Sequence, residues 1–175
     1  EDAQARTWRR YLIRPGGPAG MSPQITAITL PLPLGMGSVN CYLLRTDRGF
    51  VLVDTGAPNA RVRLQRTLED CGCLPGTLSL IFITHGDFDH TGNAAHLRRT
   101  LGGRIGMHAD DAPMAGLGDM FANRGTANPI LRAAAPLLIG FGRAERFLPD
   151  VLLQDGMALT EWGLDARVIS LPGHS

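Results

Sequence analysis

An α/β domain built on a mixed sheet is the fold that the sequence predicts, and three observations carry it. Three β-like runs come early, at 25–30, 39–44 and 50–53, joined by short turn-rich connections. Helix-periodic stretches at 58–71 and 94–101 then alternate with apolar runs at 80–84 and 104–107. Strands first and strand–helix alternation afterwards favour a sheet that is partly antiparallel and partly parallel. The composition agrees: 175 residues, 44% apolar and 19% charged, suffice for a domain with a proper core.

Each element has a local reason. Residues 1–24 are polar and Arg-bearing, then broken by Pro15-Gly16-Gly17-Pro18-Ala19-Gly20. They are expected to be a flexible segment ahead of a domain over 25–175. Residues 25–30 alternate as a strand does, and Pro31 and Pro33 exclude a central strand position beside them. Asp47-Arg48-Gly49 is a hairpin turn between the strands 39–44 and 50–53. Pro58 then sits near the start of a helix whose apolar face is Ala60, Leu64, Leu68 and Cys71, and Gly72 with Pro75-Gly76 ends it. The run 80–84 reads as a buried strand. The next helix carries Ala94, Leu97 and Leu101 on one side, Gly102-Gly103 stops it, and 104–107 is another strand. Residues 109–146, whose apolar stretches are interrupted by Gly, Pro and Arg, read as helical segments that either cap a site or simply cover the surface. A last strand is expected at 166–171. The chain opens on Glu1 and stops at Ser175 within what looks like a motif, so both ends are expected to be cut.

Several function classes are excluded by charge and composition. The net charge is +1, too small a field to recruit nucleic acid or an anionic membrane. All seventeen basic residues are Arg, and they are scattered. No apolar run approaches the roughly 18 residues that a membrane span requires, and the first residues lack the apolar core of a signal peptide. Cys41, Cys71 and Cys73 are odd in number, and Cys71-Gly72-Cys73 has the wrong spacing for a redox or zinc motif. They read as half-buried thiols in a reducing, cytoplasmic compartment. The partner expected is a small-molecule substrate, with self-association left open.

The chemistry is concentrated at His85-Gly86-Asp87-Phe88-Asp89-His90. At this chain's His and Asp frequencies, such a string arises by chance in roughly one chain of this length in a thousand. Four ligand-type residues so close cannot all face one way on a strand or a helix, so a loop at the rim of the sheet is expected to carry them. His and carboxylate donors around an open position are what a hydrolytic divalent-metal site requires, with water acidified on the ion. His85 and Asp87 can serve one ion while Asp89 and His90 turn towards a second. His174, after Pro172-Gly173, is the natural third ligand of the first ion. Asp54 is either a turn former or a group that orients a ligand. His96 and His108 lack such company and are set aside.

These residues resemble the metallo-β-lactamase fold hydrolases. The likeness rests on Val53-Asp54-Thr55-Gly56, on the stretch from Thr84 to Gly92, and on Leu171-Pro172-Gly173-His174-Ser175, in that order. The resemblance implies an αβ/βα sandwich with the metal site along one edge of two sheets and a metal-bound hydroxide as nucleophile. It also implies that Asp89 binds the second ion and orients that hydroxide, which makes it the catalytic residue. The implied cofactor is one or two divalent ions, zinc first, with iron or manganese as alternatives.

There are two departures. The family's usual loop is His-x-His-x-Asp-His, and Asp87 replaces its second histidine. A carboxylate is harder than imidazole and shifts preference from zinc towards iron or manganese; flavo-diiron proteins, a redox branch of the fold, carry a carboxylate there. The chain also stops before the family's bridging aspartate and last histidine, so the second half of the sandwich is expected to be largely missing, leaving an apolar sheet face open. The activity expected of the complete protein is hydrolysis of an ester, thioester, lactone, amide or phosphoester. The alternatives are an iron redox protein and a non-catalytic fragment.

Overall fold

The computed structural model describes residues 24–118 and 145–173. Six strands form one sheet in chain order: β1 (Gln24–Pro31), β2 (Ser38–Thr46), β3 (Gly49–Val53), β4 (Leu78–Phe82), β5 (Arg104–His108) and β6 (Val151–Leu153). β1, β2 and β3 pair antiparallel, and β3 through β6 pair parallel, so the sheet is mixed as expected. Asp47 and Arg48 make the turn between β2 and β3, where Thr46 faces Gly49. Pro31 is tolerated because β1 is an edge strand, with no second neighbour among the described strands needing its missing N–H.

Parallel neighbours need a crossover, and right-handed crossovers in one direction place their helices on one face. The first crossover is a 3-10 turn at Pro58–Ala60 running into α1 (Arg61–Asp70). The second holds the single turn α2 (Phe88–Thr91) and α3 (Ala94–Leu101). Leu64 and Leu68 of α1 and Leu97 and Leu101 of α3 pack with Ile28, Leu30, Leu43, Leu52, Ile81 and Ile105 of the sheet. Burying one such leucine stabilises by roughly 1.5–3 kcal/mol, so these four side chains hold both helices to the sheet.

The other face is covered in part. Val51, Leu80, Val151 and Leu153 pack beneath Leu159, Trp162, Leu164 and Val168. Towards β1 the same face stays open, where Ile25 and Tyr42 are 49% and 41% exposed.

Three expectations are corrected. The run 166–171 is not a strand: it makes one isolated bridge, Arg167 to Ala158, and Ile169 and Leu171 project outward at 75% and 84% exposure with no strand beside them among the described residues. The sixth strand is instead Val151–Leu153, three residues in which no period is visible. The ligand cluster is also not all loop, because Asp89 and His90 lie in the helical turn α2. Of 109–146, the described part contains α4 (Ala112–Leu117), and residues 119–144 lie outside the described residues, as do 1–23. The cysteines are free and lie deeper than expected: Cys41 and Cys73 are fully buried and Cys71 partly so. Burial, with the charge of Asp54, pushes the Cys41 thiol up to about 12 despite a backbone hydrogen bond from Gly56, so it stays protonated and inert.

Candidate metal centre

Strands β3 to β6 run parallel, so their C-terminal ends share one rim, the place where open α/β sheets collect their functional groups. Asp54 follows β3 and Thr84-His85 follow β4. The amide of Asp54 donates to the Phe82 carbonyl (2.9 Å), which extends the ladder by one step. Asp54 then turns the chain with φ at 58°, in the left-handed region where Asp is among the few side chains tolerated.

From this rim the four donors come as two pairs. Asp87 caps α2 through its carbonyl, which accepts from the amides of His90 (3.0 Å) and Thr91 (2.9 Å) and from the Thr91 hydroxyl (3.0 Å). Its side chain makes no capping bond. Asp87 Oδ2 lies instead 3.5 Å from His85 Nε2. On α2, Asp89 Oδ2 lies 3.7 Å from His90 Nε2. The two imidazoles are neighbours, with centroids 4.0 Å apart and planes inclined at 46°.

A divalent cation fits this donor set. Two donors at roughly 2.0–2.2 Å from one tetrahedral ion are about 3.4 Å from each other, close to both observed His–Asp separations. Imidazole nitrogen and carboxylate oxygen are also the donors that zinc, iron and manganese take. Among the described residues no three such side chains converge on one point. The third ligand expected for the first pair, His174, lies outside the described residues.

Asp54 resolves as an orienting group as well as a turn former. Its Oδ2 accepts from His90 Nδ1 at 2.8 Å, and its Oδ1 accepts from the Thr84 amide at 2.9 Å. The Thr84 hydroxyl donates to Oδ2 at 2.8 Å and lies 3.0 Å from His85 Nδ1. Burial drives the His90 pKa down, but the hydrogen bond and charge of Asp54, with the charges of Asp89 and Asp87, outweigh it and leave the pKa above its ordinary value.

The sequence reading did not include the residues that fasten this site. Thr55 donates its amide and its hydroxyl to the His90 carbonyl, both at 2.8 Å. Asn93 is 1% exposed. Its amide group donates to the carbonyls of Thr55 (2.8 Å) and Ala57 (3.0 Å), its oxygen accepts from Arg61 Nε (3.0 Å), and its backbone N–H reaches the Thr55 hydroxyl (3.1 Å). An Asn just before a helix normally caps it, but Asn93 makes no side-chain cap bond to α3 and ties two loops together instead. Gly92 permits the approach: a Cβ there would meet the Phe88 carbonyl oxygen at 2.6 Å, Pro58 Cδ at 2.6 Å and the Gly56 carbonyl oxygen at 2.7 Å.

Beside His85 opens a cavity of about 380 Å³. Phe82, Ile83, Leu153, Val168, Leu171 and Pro172 give it apolar walls, and Thr84, His85, His108 and Asp111 lie at its polar side. The two histidines set aside earlier stand apart from the donor pairs: His96 accepts from Arg99 on α3 (3.3 Å), and His108 Nδ1 lies 3.5 Å from Asp110.

Comparison with known proteins adds the following. The sequence profile of the Metallo-beta-lactamase superfamily matches residues 34–175. Metallo-beta-lactamase domain-containing protein 1 of Homo sapiens is 44% identical over 61 residues, which is 35% of this chain and 23% of that protein. The rat protein of the same name is 35% identical over 92 residues, 43% of this chain and 37% of its own length. Among solved structures, a metallo-beta-lactamase family protein from Thermus thermophilus superposes with a TM-score of 0.67 at 26% identity, covering 86% of this chain and 52% of that one. A Cronobacter sakazakii metallo-beta-lactamase with a HARLDQ motif gives 0.55 at 25% identity, covering 73% and 40%. The chain thus spans about half or less of each relative.

Proposed function

The chain belongs to the metallo-beta-lactamase superfamily, and from that premise we propose that it carries the metal-binding edge of a hydrolase acting on an ester, thioester, lactone, amide or phosphoester. One observation carries the reading: two His–Asp donor pairs at 3.5 and 3.7 Å, with their imidazoles side by side at 4.0 Å, on the rim where parallel strands end. His85 and Asp87 would hold one cation, with His174 as a further ligand, and Asp89 and His90 would hold a second. A cation bound there supplies Lewis acidity and brings water within reach of ionisation near neutral pH. Zinc is the ion proposed.

The protein's own groups have definite tasks. Asp54 and Thr84 fix the imidazoles, Thr55 and Asn93 fix α2, and Asp89 would orient the attacking water. The cavity beside His85 offers apolar walls to the non-reacting part of a small substrate while its polar side faces the donors. No helix among the described residues is long and apolar enough to cross a membrane. The free thiols and the small net charge support a small-molecule enzyme of the cytoplasm.

A second reading, iron redox chemistry, is favoured by one observation, the carboxylate of Asp87 where imidazole is usual. Metal analysis of the complete protein separates the two, since a hydrolase holds zinc and cleaves activated esters while a redox site holds iron and has a visible spectrum. In the complete protein, His85→Ala and Asp89→Ala are expected to remove both metal and activity. Unchanged turnover in either variant overturns the proposal.

A further inference from the structure

We propose that the cavity beside His85 binds an organic cation, an ammonium group on a small apolar body, with the Asp111 carboxylate as its counter-ion. Asp111 follows β5, where its amide donates to the His108 carbonyl (3.2 Å), and it stands directly before α4. An Asp in that place normally caps its helix by accepting from the amide of the second or third helical residue. Neither amide is open to it. Pro113 has no N–H, and the Met114 amide donates to the carbonyl of Asp111 itself at 3.0 Å. The Asp111 side chain accordingly makes no capping bond, and among the described residues it has no hydrogen-bond or ion-pair partner. It is 7% exposed, yet its oxygens are not sealed off, and the cavity is the opening that it lines.

Nothing around it supplies the missing positive charge. His108 turns its Nδ1 to Asp110 instead, accepting that residue's amide at 3.3 Å and lying 3.5 Å from its Oδ2. No arginine lines the cavity among the described residues, and the chain has no lysine. A carboxylate that gives up most of its water without a partner is costly, and a ligand that donates to it removes that cost. A bare metal ion does not fit, because no three donor side chains converge there among the described residues. Leu153, Val168 and Pro172 offer apolar contact, which an ammonium group on a hydrocarbon body uses and a hydrated ion does not. The volume, about 380 Å³, is at the low end of the roughly 300–1,000 Å³ of small-molecule sites. Resting on the hydrolase reading, the substrate is then one that carries a basic amine away from its reacting bond. The ammonium site itself belongs to the metal-free chain.

The test uses the full 175-residue chain, metal-free and at neutral pH. The probes are phenethylammonium and hydrocinnamate, which share a shape and carry opposite charges. NMR titration gives both affinities, and the methyl resonances of Leu153 and Val168 locate the bound molecule. Phenethylammonium is expected to shift those methyls and to bind at least about tenfold tighter than hydrocinnamate. Asp111→Asn keeps the shape and removes the charge. It is expected to weaken phenethylammonium roughly 10–100-fold, the range for a hydrogen bond to a charged group, and to leave hydrocinnamate no weaker. Equal affinity of the wild type for the two probes, or binding that leaves the methyls unmoved, overturns the proposal without recourse to any variant. So does an Asp111→Asn chain that holds phenethylammonium as tightly as the wild type. If phenethylammonium binds as expected and the complete protein cleaves none of the proposed substrates, the hydrolase reading falls and the site stands. If the complete protein cleaves them and phenethylammonium does not bind, the site falls and the hydrolase reading stands.

Discussion

Asn93 tests whether the ligand turn is held by the network around it. In Asn93→Ala the Thr55 carbonyl loses its side-chain donor while Thr55 remains 0% exposed, the Ala57 carbonyl keeps only the Ala60 amide, and Arg61 Nε loses its acceptor. Arg61 can turn to water, but the buried Thr55 carbonyl has little access to it. At about 1 kcal/mol per net hydrogen bond, with a further desolvation penalty of about 1–3 kcal/mol for a buried orphan, the expected cost is roughly 2–4 kcal/mol. For a chain of this size that is a fall of about 4–16 °C in Tm. Asn93→Asp is the sharper variant. It keeps the acceptor for Arg61 but turns a carboxylate onto two carbonyl oxygens, so near neutral pH it should destabilise at least as much as alanine. Acidification should then restore part of the loss, because a protonated carboxyl regains a donor. Urea unfolding at several pH values measures both. If Asn93→Ala stays within about 0.5 kcal/mol of wild type, the range of an ordinary surface substitution, the network does not hold the turn.

Two further outcomes are expected. Gly92→Ala drives a methyl into the carbonyls of Phe88 and Gly56 and should cost about 1–3 kcal/mol, as overpacking against an unyielding backbone does; a wild-type unfolding midpoint would show that the turn yields. Asp150 concerns pH. Burial raises its pKa, but the Ile105 amide at 2.8 Å and the Arg98 guanidinium outweigh that and hold it below the usual carboxylate value. A depressed pKa means stability that is present above the unfolded-state value of about 3.9 and lost as pH falls through the folded one. Asp150→Ala should therefore cost about 1–2 kcal/mol at neutral pH, mostly through the Ile105 amide because the Arg98 pair is open to solvent. The gap to wild type should close below about pH 4; a gap of constant size there would contradict the assignment.

How much of this was readable in advance depended on distance along the chain. β1 to β5, α1 and α3 announce themselves because alternation and helical spacing are local, and the ligand cluster because four donors fall within six residues. β6 did not, since three residues between Asp150 and Gln154 show no period. The run at 166–171 has strand-like residues, but its pairing with 156–159 amounts to one bridge and a few backbone hydrogen bonds at 166–168, too short to make a strand. The fastening of the site was invisible for a related reason. Thr55 and Asn93 are 38 residues apart, and Asp54 and Thr84 are 30 apart; each pair meets only because β3 and β4 lie side by side and parallel. Asp54 could be suspected from its turn, whereas nothing in the neighbours of Asn93 marks it as anything but a helix cap.

The order of the sheet has a consequence for how the protein is made. Every strand lies beside the strand synthesised just before it, so a nascent chain always finds its next pairing edge already built. β2 can close on β1, β3 on β2, and β4 on β3, before anything beyond residue 82 has left the ribosome. When α3 docks, Asp54 has met Thr84 and His90; Gly106, which accepts from the Ile83 amide, and Met114, which packs against Gly86, then close on the turn from the later chain. Among the described residues, later segments add at the β5 edge, cover the second face or, with Ala115 and Phe147, join the core on the side of α1 and α3. Assembly in the direction of synthesis thus brings the described part of the proposed metal site together early, and the chain that follows arrives at a template instead of having to create one.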